Sequence, residues 1–166
     1  MAFRYCRTIR FQETDAAGVA YFANVLTYCH EAYEAALQET PIDVKRFFSA
    51  LNEYPVPVVH AQADYFAPMF VGDAIAITLI PKPLTLYSYE IRYALHYQQP
   101  RPPVEHSLVA PSSVAPSSAA QSESGPLATA LTRHVCISKA TRRKQPIDNY
   151  LTDWIVDLAA SAASDD

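Results

Sequence analysis

The stretch Phe22-Ala23-Asn24-Val25-Leu26-Thr27-Tyr28-Cys29-His30-Glu31-Ala32-Tyr33-Glu34-Ala35-Ala36-Leu37 places Phe22, Val25, Leu26, Cys29, Ala32, Tyr33, Ala36 and Leu37 at intervals of three and four. That is the period of a helix with one wide apolar face. The spacing predicts about four turns starting near Tyr21 or Phe22 and stopped by Pro41. Asn24, Thr27, His30, Glu31 and Glu34 fall on its flanks. So broad a face needs a large cover, and the flanking sequence supplies one. Residues 3 to 11 alternate, with Phe3, Tyr5, Ile9 and Phe11 opposite Arg4, Thr8 and Arg10, which is the period of a half-buried strand. A short amphipathic piece is expected from Val44 to Leu51. Strand patterns follow at Val58 to Phe66, Ala74 to Ile80 and Leu86 to Tyr97, and the pattern resumes at Leu127, Leu131, Val135 and Ile137. Their short connections, Pro68 to Asp73 and Pro81 to Pro83, suit antiparallel neighbours. In the third run Tyr87, Tyr89, Ile91, Tyr93, Leu95 and Tyr97 share a face and read as core against the helix, with Glu90, Arg92 and His96 opposite. After Pro146, the residues Ile147, Tyr150, Leu151, Trp154, Ile155 and Leu158 mark a terminal amphipathic helix. The expected class is α+β, an antiparallel sheet wrapped around one long central helix, plus a C-terminal helix.

The chain has 166 residues, 50% of them apolar, which fits one domain over residues 1 to 160. Of the 27 residues from 100 to 126, six are Pro, seven Ser and four Ala, a composition too poor in apolar area to offset its ordering entropy. It reads as a flexible insertion between two strands. The tail from Ser161 to Asp166 is polar and expected to fray. The net charge of −4 gives no drive toward a nucleic acid backbone, and no continuous apolar run approaches the roughly 18 residues of a membrane span. With no apolar N-terminal segment either, a cytoplasmic location and no membrane partner are expected. Three scattered cysteines argue against a disulfide framework, and three glycines leave no room for a phosphate-binding loop.

The chemistry concentrates in Glu13-Thr14-Asp15-Ala16-Ala17-Gly18-Val19-Ala20-Tyr21-Phe22, which joins the first strand to the helix. A helix start offers unpaired N–H groups and the positive end of the dipole, suited to an oxygen that turns negative during acyl transfer. Asp15 lies just ahead of it, placed to act as base or nucleophile, and Gly18 permits a sharp turn. From residue types alone the plainer reading prevails over catalysis: Asp15 or Thr14 caps the helix or an Asx-turn, with Gly18 serving the turn.

The pattern Thr14 to Phe22, followed by His30-Glu31-Ala32-Tyr33-Glu34, resembles the hotdog-fold acyl-CoA thioesterases of the 4-hydroxybenzoyl-CoA thioesterase family. Within that family it is most similar to the 1,4-dihydroxy-2-naphthoyl-CoA thioesterases of phylloquinone and menaquinone synthesis. The run Asp64-Tyr65-Phe66-Ala67-Pro68-Met69-Phe70-Val71-Gly72-Asp73 is similar to the family's strand-turn element. The resemblance spans residues 3 to 99 and 127 to 158. It implies Asp15 as the carboxylate that attacks the thioester or activates water, the backbone N–H of Phe22 as the group polarising the carbonyl, and Gly18, Val19 and Tyr21 as pocket wall. It also implies an aromatic acyl-CoA substrate, no separate cofactor because coenzyme A is part of that substrate, and a homo-oligomer. Members are dimers, commonly assembled into tetramers, with each site between two subunits. Rival readings are a thioesterase for 4-hydroxybenzoyl-CoA or short-chain esters, and a silent hotdog protein that binds acyl-CoA or an acyl carrier protein.

His30 and Glu34 share a helical face but lack the third ligand a metal needs, so no metal site is expected. Glu31 is an auxiliary candidate at the active site. Cys29 falls on the apolar stripe and reads as a packed thiol. His96 and His134 read as structural histidines, while His60 is a candidate for the pocket border. Lys139-Ala140-Thr141-Arg142-Arg143-Lys144 holds four cations in six residues. Arg142, Arg143 and Lys144 suit the phosphates of coenzyme A, against the plainer reading of a solvated strand end.

Overall fold

The computed structural model describes residues 2–99 and 125–163. Almost all of the expected insertion at 100 to 126 lies outside the described residues. The chain runs β1 (Phe3–Thr8), a 3₁₀ turn (Phe11–Glu13), α1 (Asn24–Gln38), α2 (Val44–Phe47), β2 (Val58–Tyr65), β3 (Ala74–Thr85), β4 (Ser88–Tyr97), β5 (Ala128–Val135) and α3 (Asn149–Ala163). The strands form one sheet in the order β1-β3-β4-β5-β2, with every neighbouring pair antiparallel. β1 and β2 are its two edges.

The apolar face read from the sequence is the buried face of α1: Val25, Tyr28, Cys29, Ala32, Tyr33, Ala36 and Leu37. It packs on the inner sheet residues, among them Ile75, Ile77, Leu79, Tyr89, Ile91, Tyr93 and Leu95. Each large side chain buried there contributes on the order of 1.5–3 kcal/mol. Leu151, Trp154 and Ile155 bring α3 into the same core. The tyrosine stripe is core, as expected, at Tyr89 and Tyr93, and the Tyr33 and Tyr89 hydroxyls meet at 2.6 Å between helix and sheet. Tyr87 instead sits half-exposed in the turn before β4.

Four local differences from the sequence reading have physical causes. α1 begins at Asn24, not at Tyr21 or Phe22, because the Glu13 carbonyl accepts both the Tyr21 N–H and the Asn24 side-chain amide at 2.8 Å, holding residue 21 outside the helix. Pro81 and Pro83 are not a connection but part of β3. β1 covers β3 only as far as Leu79, so beyond it the strand has one neighbour among the described residues, and a residue lacking an N–H can face the open side. Glu90, placed opposite the core by alternation, is nevertheless buried, because Arg92 and Arg133 close over its carboxylate at 3.2 Å each. Finally, α3 continues through residues 161 to 163 where fraying was expected, carried by an alanine-rich end of high helix propensity.

Candidate active site

Residues 14 to 20 form a closed turn. Thr14 and Ala20 pair across its base, the Asp15 N–H donates to the Val19 carbonyl at 2.8 Å, and the Gly18 N–H donates to the Asp15 carbonyl at 3.0 Å. Gly18 takes φ +74°, a conformation that disfavours other residues. Asp15 Oδ1 accepts the N–H groups of Ala17 at 2.8 Å and Val19 at 3.2 Å. The Asx-turn reading is therefore correct for one carboxylate oxygen, while Oδ2 accepts no hydrogen bond from the described residues. The side chain is exposed.

The second stretch that carried the resemblance packs on this turn. Val19 pairs with Phe70, the Ala20 N–H donates to the Met69 carbonyl at 2.8 Å, and the Val71 N–H reaches the Gly18 carbonyl at 3.4 Å. Tyr65, the last residue of β2, donates its hydroxyl to the Phe22 carbonyl at 2.6 Å. The turn, the end of β2 and the start of α1 thus meet at one end of the sheet. The backbone N–H groups of Phe22 and of Ala23, the cap residue before α1, have no acceptor among the described residues. Around them Tyr21, Phe22, Tyr65 and Phe66 stand between 47% and 63% exposed, an aromatic patch beside unpaired amides and a carboxylate.

The turn is anchored by a group that sequence reasoning did not identify. Arg7, pointing inward from β1, pairs with Glu13 and with Glu31 of α1 and lies 3.9 Å over the Tyr28 ring. Glu13 also receives the Arg10 N–H at 2.7 Å on its second oxygen. One guanidinium therefore ties β1, the stem of the Asp15 turn and α1 together. Glu31, the auxiliary candidate, serves this pairing. It lies seven residues into α1, roughly 10 Å from its mouth.

The remaining candidates sit elsewhere in the protomer. His60 lies on the outer sheet face with Gln62, 3.4 Å away, and roughly 17 Å along β2 from Tyr65. The basic segment is a tight hairpin: Ile137 pairs with Lys144, the Ser138 N–H donates to the Arg143 carbonyl, and Arg142 has φ 59°. Lys139 is spent on the Ala50 carbonyl. Arg142, Arg143 and Lys144 are exposed and form no ion pair with the described residues. β5 runs from Ala128, opposite Tyr65, to Val135, so the hairpin lies roughly 25 Å from the Asp15 turn of the same chain. His30 and Glu34 form an exposed i,i+4 pair at 3.3 Å, and among the described residues no group of three or more His, Cys, Asp or Glu is placed to hold a metal ion. Burial pushes the Cys29 thiol up to about 12, which removes it as a nucleophile.

A five-stranded antiparallel sheet around one long helix is the hotdog architecture, and the family match makes it that of a thioesterase. The sequence pattern of the Thioesterase-like superfamily matches residues 9–155, and the chain belongs to that family. It is 41% identical over 155 residues to the 1,4-dihydroxy-2-naphthoyl-CoA hydrolase of Nostoc punctiforme, covering 93% of this chain and 87% of the relative. To the 1,4-dihydroxy-2-naphthoyl-CoA hydrolase of Rippkaea orientalis it is 42% identical over 151 residues, covering 91% and 93%. The crystal structure of a 1,4-dihydroxy-2-naphthoyl-CoA thioesterase from Synechocystis superposes with a TM-score of 0.75 at 29% identity, covering 95% of this chain and 98% of that one.

Proposed function

We propose that the chain hydrolyses an aromatic acyl-CoA thioester, 1,4-dihydroxy-2-naphthoyl-CoA foremost, to the free acid and coenzyme A. The observation that carries this reading is the meeting of the Asp15 turn with the unpaired amides at the start of α1, in a chain whose relatives bear that hydrolase name. Asp15 acts as general base for water or as nucleophile, and the Phe22 N–H polarises the thioester carbonyl. Gly18, Val19 and Tyr21 line the acyl pocket. A thiolate leaves without a strong general acid, so a carboxylate and a helix end suffice, and no separate cofactor is needed. The setting is phylloquinone or menaquinone synthesis in the cytoplasm. Among the described residues no helix is long and apolar enough to cross a membrane. Thiol release from a panel of CoA esters, followed with a thiol-reactive dye, tests the reading. Turnover greatest on the naphthoyl ester is expected, and binding without turnover would overturn it.

The active unit is a homo-oligomer built through the β2 edge. Among the described residues that strand pairs with β5 alone; it is exposed almost throughout, presenting Val58, Val59 and Tyr65 to solvent with Phe66 just beyond its end. Such an edge invites a second copy. A two-fold axis reverses the strand, bringing the His60 and basic-hairpin end of each chain beside the Asp15 end of its partner. That arrangement reunites the candidates that one protomer keeps apart, and a dimer of such dimers accounts for a tetramer. Charge reversal in the double variant R142E/R143E is expected to raise KM for the CoA ester by about 10- to 100-fold, the scale of losing charge-assisted phosphate contacts. KM for the matching pantetheine thioester, which lacks the nucleotide phosphates, should stay near its original value. Equal rises on both substrates would count against phosphate contact.

A further inference from the structure

We infer that Tyr65 is a positioning residue, orienting and polarising the peptide group at the mouth of α1 through its hydrogen bond to the Phe22 carbonyl; this rests on the hydrolase reading above. Tyr65 pairs with Ala128, which pairs with Leu95 and then Ile77, so its side chain leaves the sheet on the α1 side. The hydroxyl crosses from β2 to a residue 43 positions earlier and closes at 2.6 Å, near the short end for O–H···O bonds. The Phe22 carbonyl also accepts the Val25 N–H, at 3.3 Å. The tighter of its two bonds therefore comes from the phenol and not from the helix. A tyrosine phenol is protonated at neutral pH, and burial moves the pKa of this one further up.

The consequence lies at the other end of the same peptide group. A trans peptide points its C=O and N–H in opposite directions, so a carbonyl fixed toward β2 aims the Ala23 N–H away from it, where no acceptor is found among the described residues. A hydrogen bond into the carbonyl also draws electron density from the N–H, a cooperative gain of roughly 10–30% per bond. Tyr65 thereby gives the helix mouth a second amide of fixed direction beside that of Phe22. It does so without touching the reacting atoms.

Tyr65→Phe keeps the ring and removes only the donor. Its expected effect is a fall in kcat of about tenfold, below the roughly 10²–10³-fold of deleting an oxyanion donor outright. The fall should be equal for the naphthoyl ester and a short-chain ester, with KM within twofold and an unchanged melting temperature. The Ala23 amide proton resonance should move upfield. A ring serving as acyl wall would give a different result, a change confined to KM or to one acyl group, and that result overturns the inference. An active wild type with wild-type kcat in Tyr65→Phe overturns it as well. A wild type silent on every ester removes the hydrolase reading and this inference with it.

Discussion

Asp15→Asn is expected to lower kcat for thioester hydrolysis by about 10²- to 10⁴-fold, the range of a positioned base or nucleophile, while leaving melting temperature and oligomeric state unchanged. The choice of Asn follows from the turn. Oδ1 of Asp15 receives the Ala17 and Val19 N–H groups, and an asparagine carbonyl oxygen can receive both. The variant therefore keeps the Asx-turn, the Gly18 conformation and the Thr14–Ala20 pairing, and removes only the charge. Asp15→Ala would strip the turn of two acceptor bonds and mix a stability loss into the kinetics. Activity and thermal unfolding measured on the same preparation separate the two. Near-wild-type turnover in a correctly assembled Asp15→Asn protein removes this carboxylate from the mechanism.

The Asp15 turn also illustrates how much the sequence made legible. The cap and the catalytic group looked like competing readings of one residue, yet a carboxylate has two oxygens: Oδ1 holds the turn while Oδ2 accepts nothing from the described residues. The helix face was legible because a 3.6-residue period is local, and Val25, Cys29, Tyr33 and Leu37 are buried as their spacing required. The features that escaped depend on residues far apart in the chain. Pro81 reads as a break until the length of β1 shows that β1 does not reach that part of β3. Glu90 reads as a surface residue until Arg133 arrives from another strand. Tyr65 and Phe22 are joined by one hydrogen bond across 43 residues, and Arg7 selects Glu13 and Glu31 from two different elements. The face of His60 escaped alternation as well, since it is set by the bulge between Val58 and His60.

Between pH 6.5 and 4 the protein is expected to lose stability steadily, and His134 accounts for about 3 kcal/mol of the loss. The ring is 2% exposed, stacked on Tyr89 at 4.8 Å and bonded through Nε2 to the Thr132 hydroxyl at 2.9 Å. Burial lowers its pKa to about 4, with nearby His30 adding to the shift and the Val56 backbone opposing it. In the unfolded chain the same ring titrates near 6.5. Above pH 6.5 it is neutral in both states and its contribution is complete. As pH falls below 6.5 the unfolded chain takes up a proton that the folded core refuses, so folding weakens by up to about 1.4 kcal/mol per pH unit. Below about pH 4 the native ring protonates too and the slope from this residue ends. His134→Gln retains a polar side chain but cannot titrate, so its denaturation profile should be flatter than that of the wild type across this window. Superimposable pH profiles for the two proteins would show that the ring carries its proton inside the fold. The Tyr33–Tyr89–His134–Thr132–Tyr93 cluster beneath α1 would then have to accommodate a buried cation, which a site walled by Tyr89, Tyr33 and Trp154 is poorly equipped to solvate.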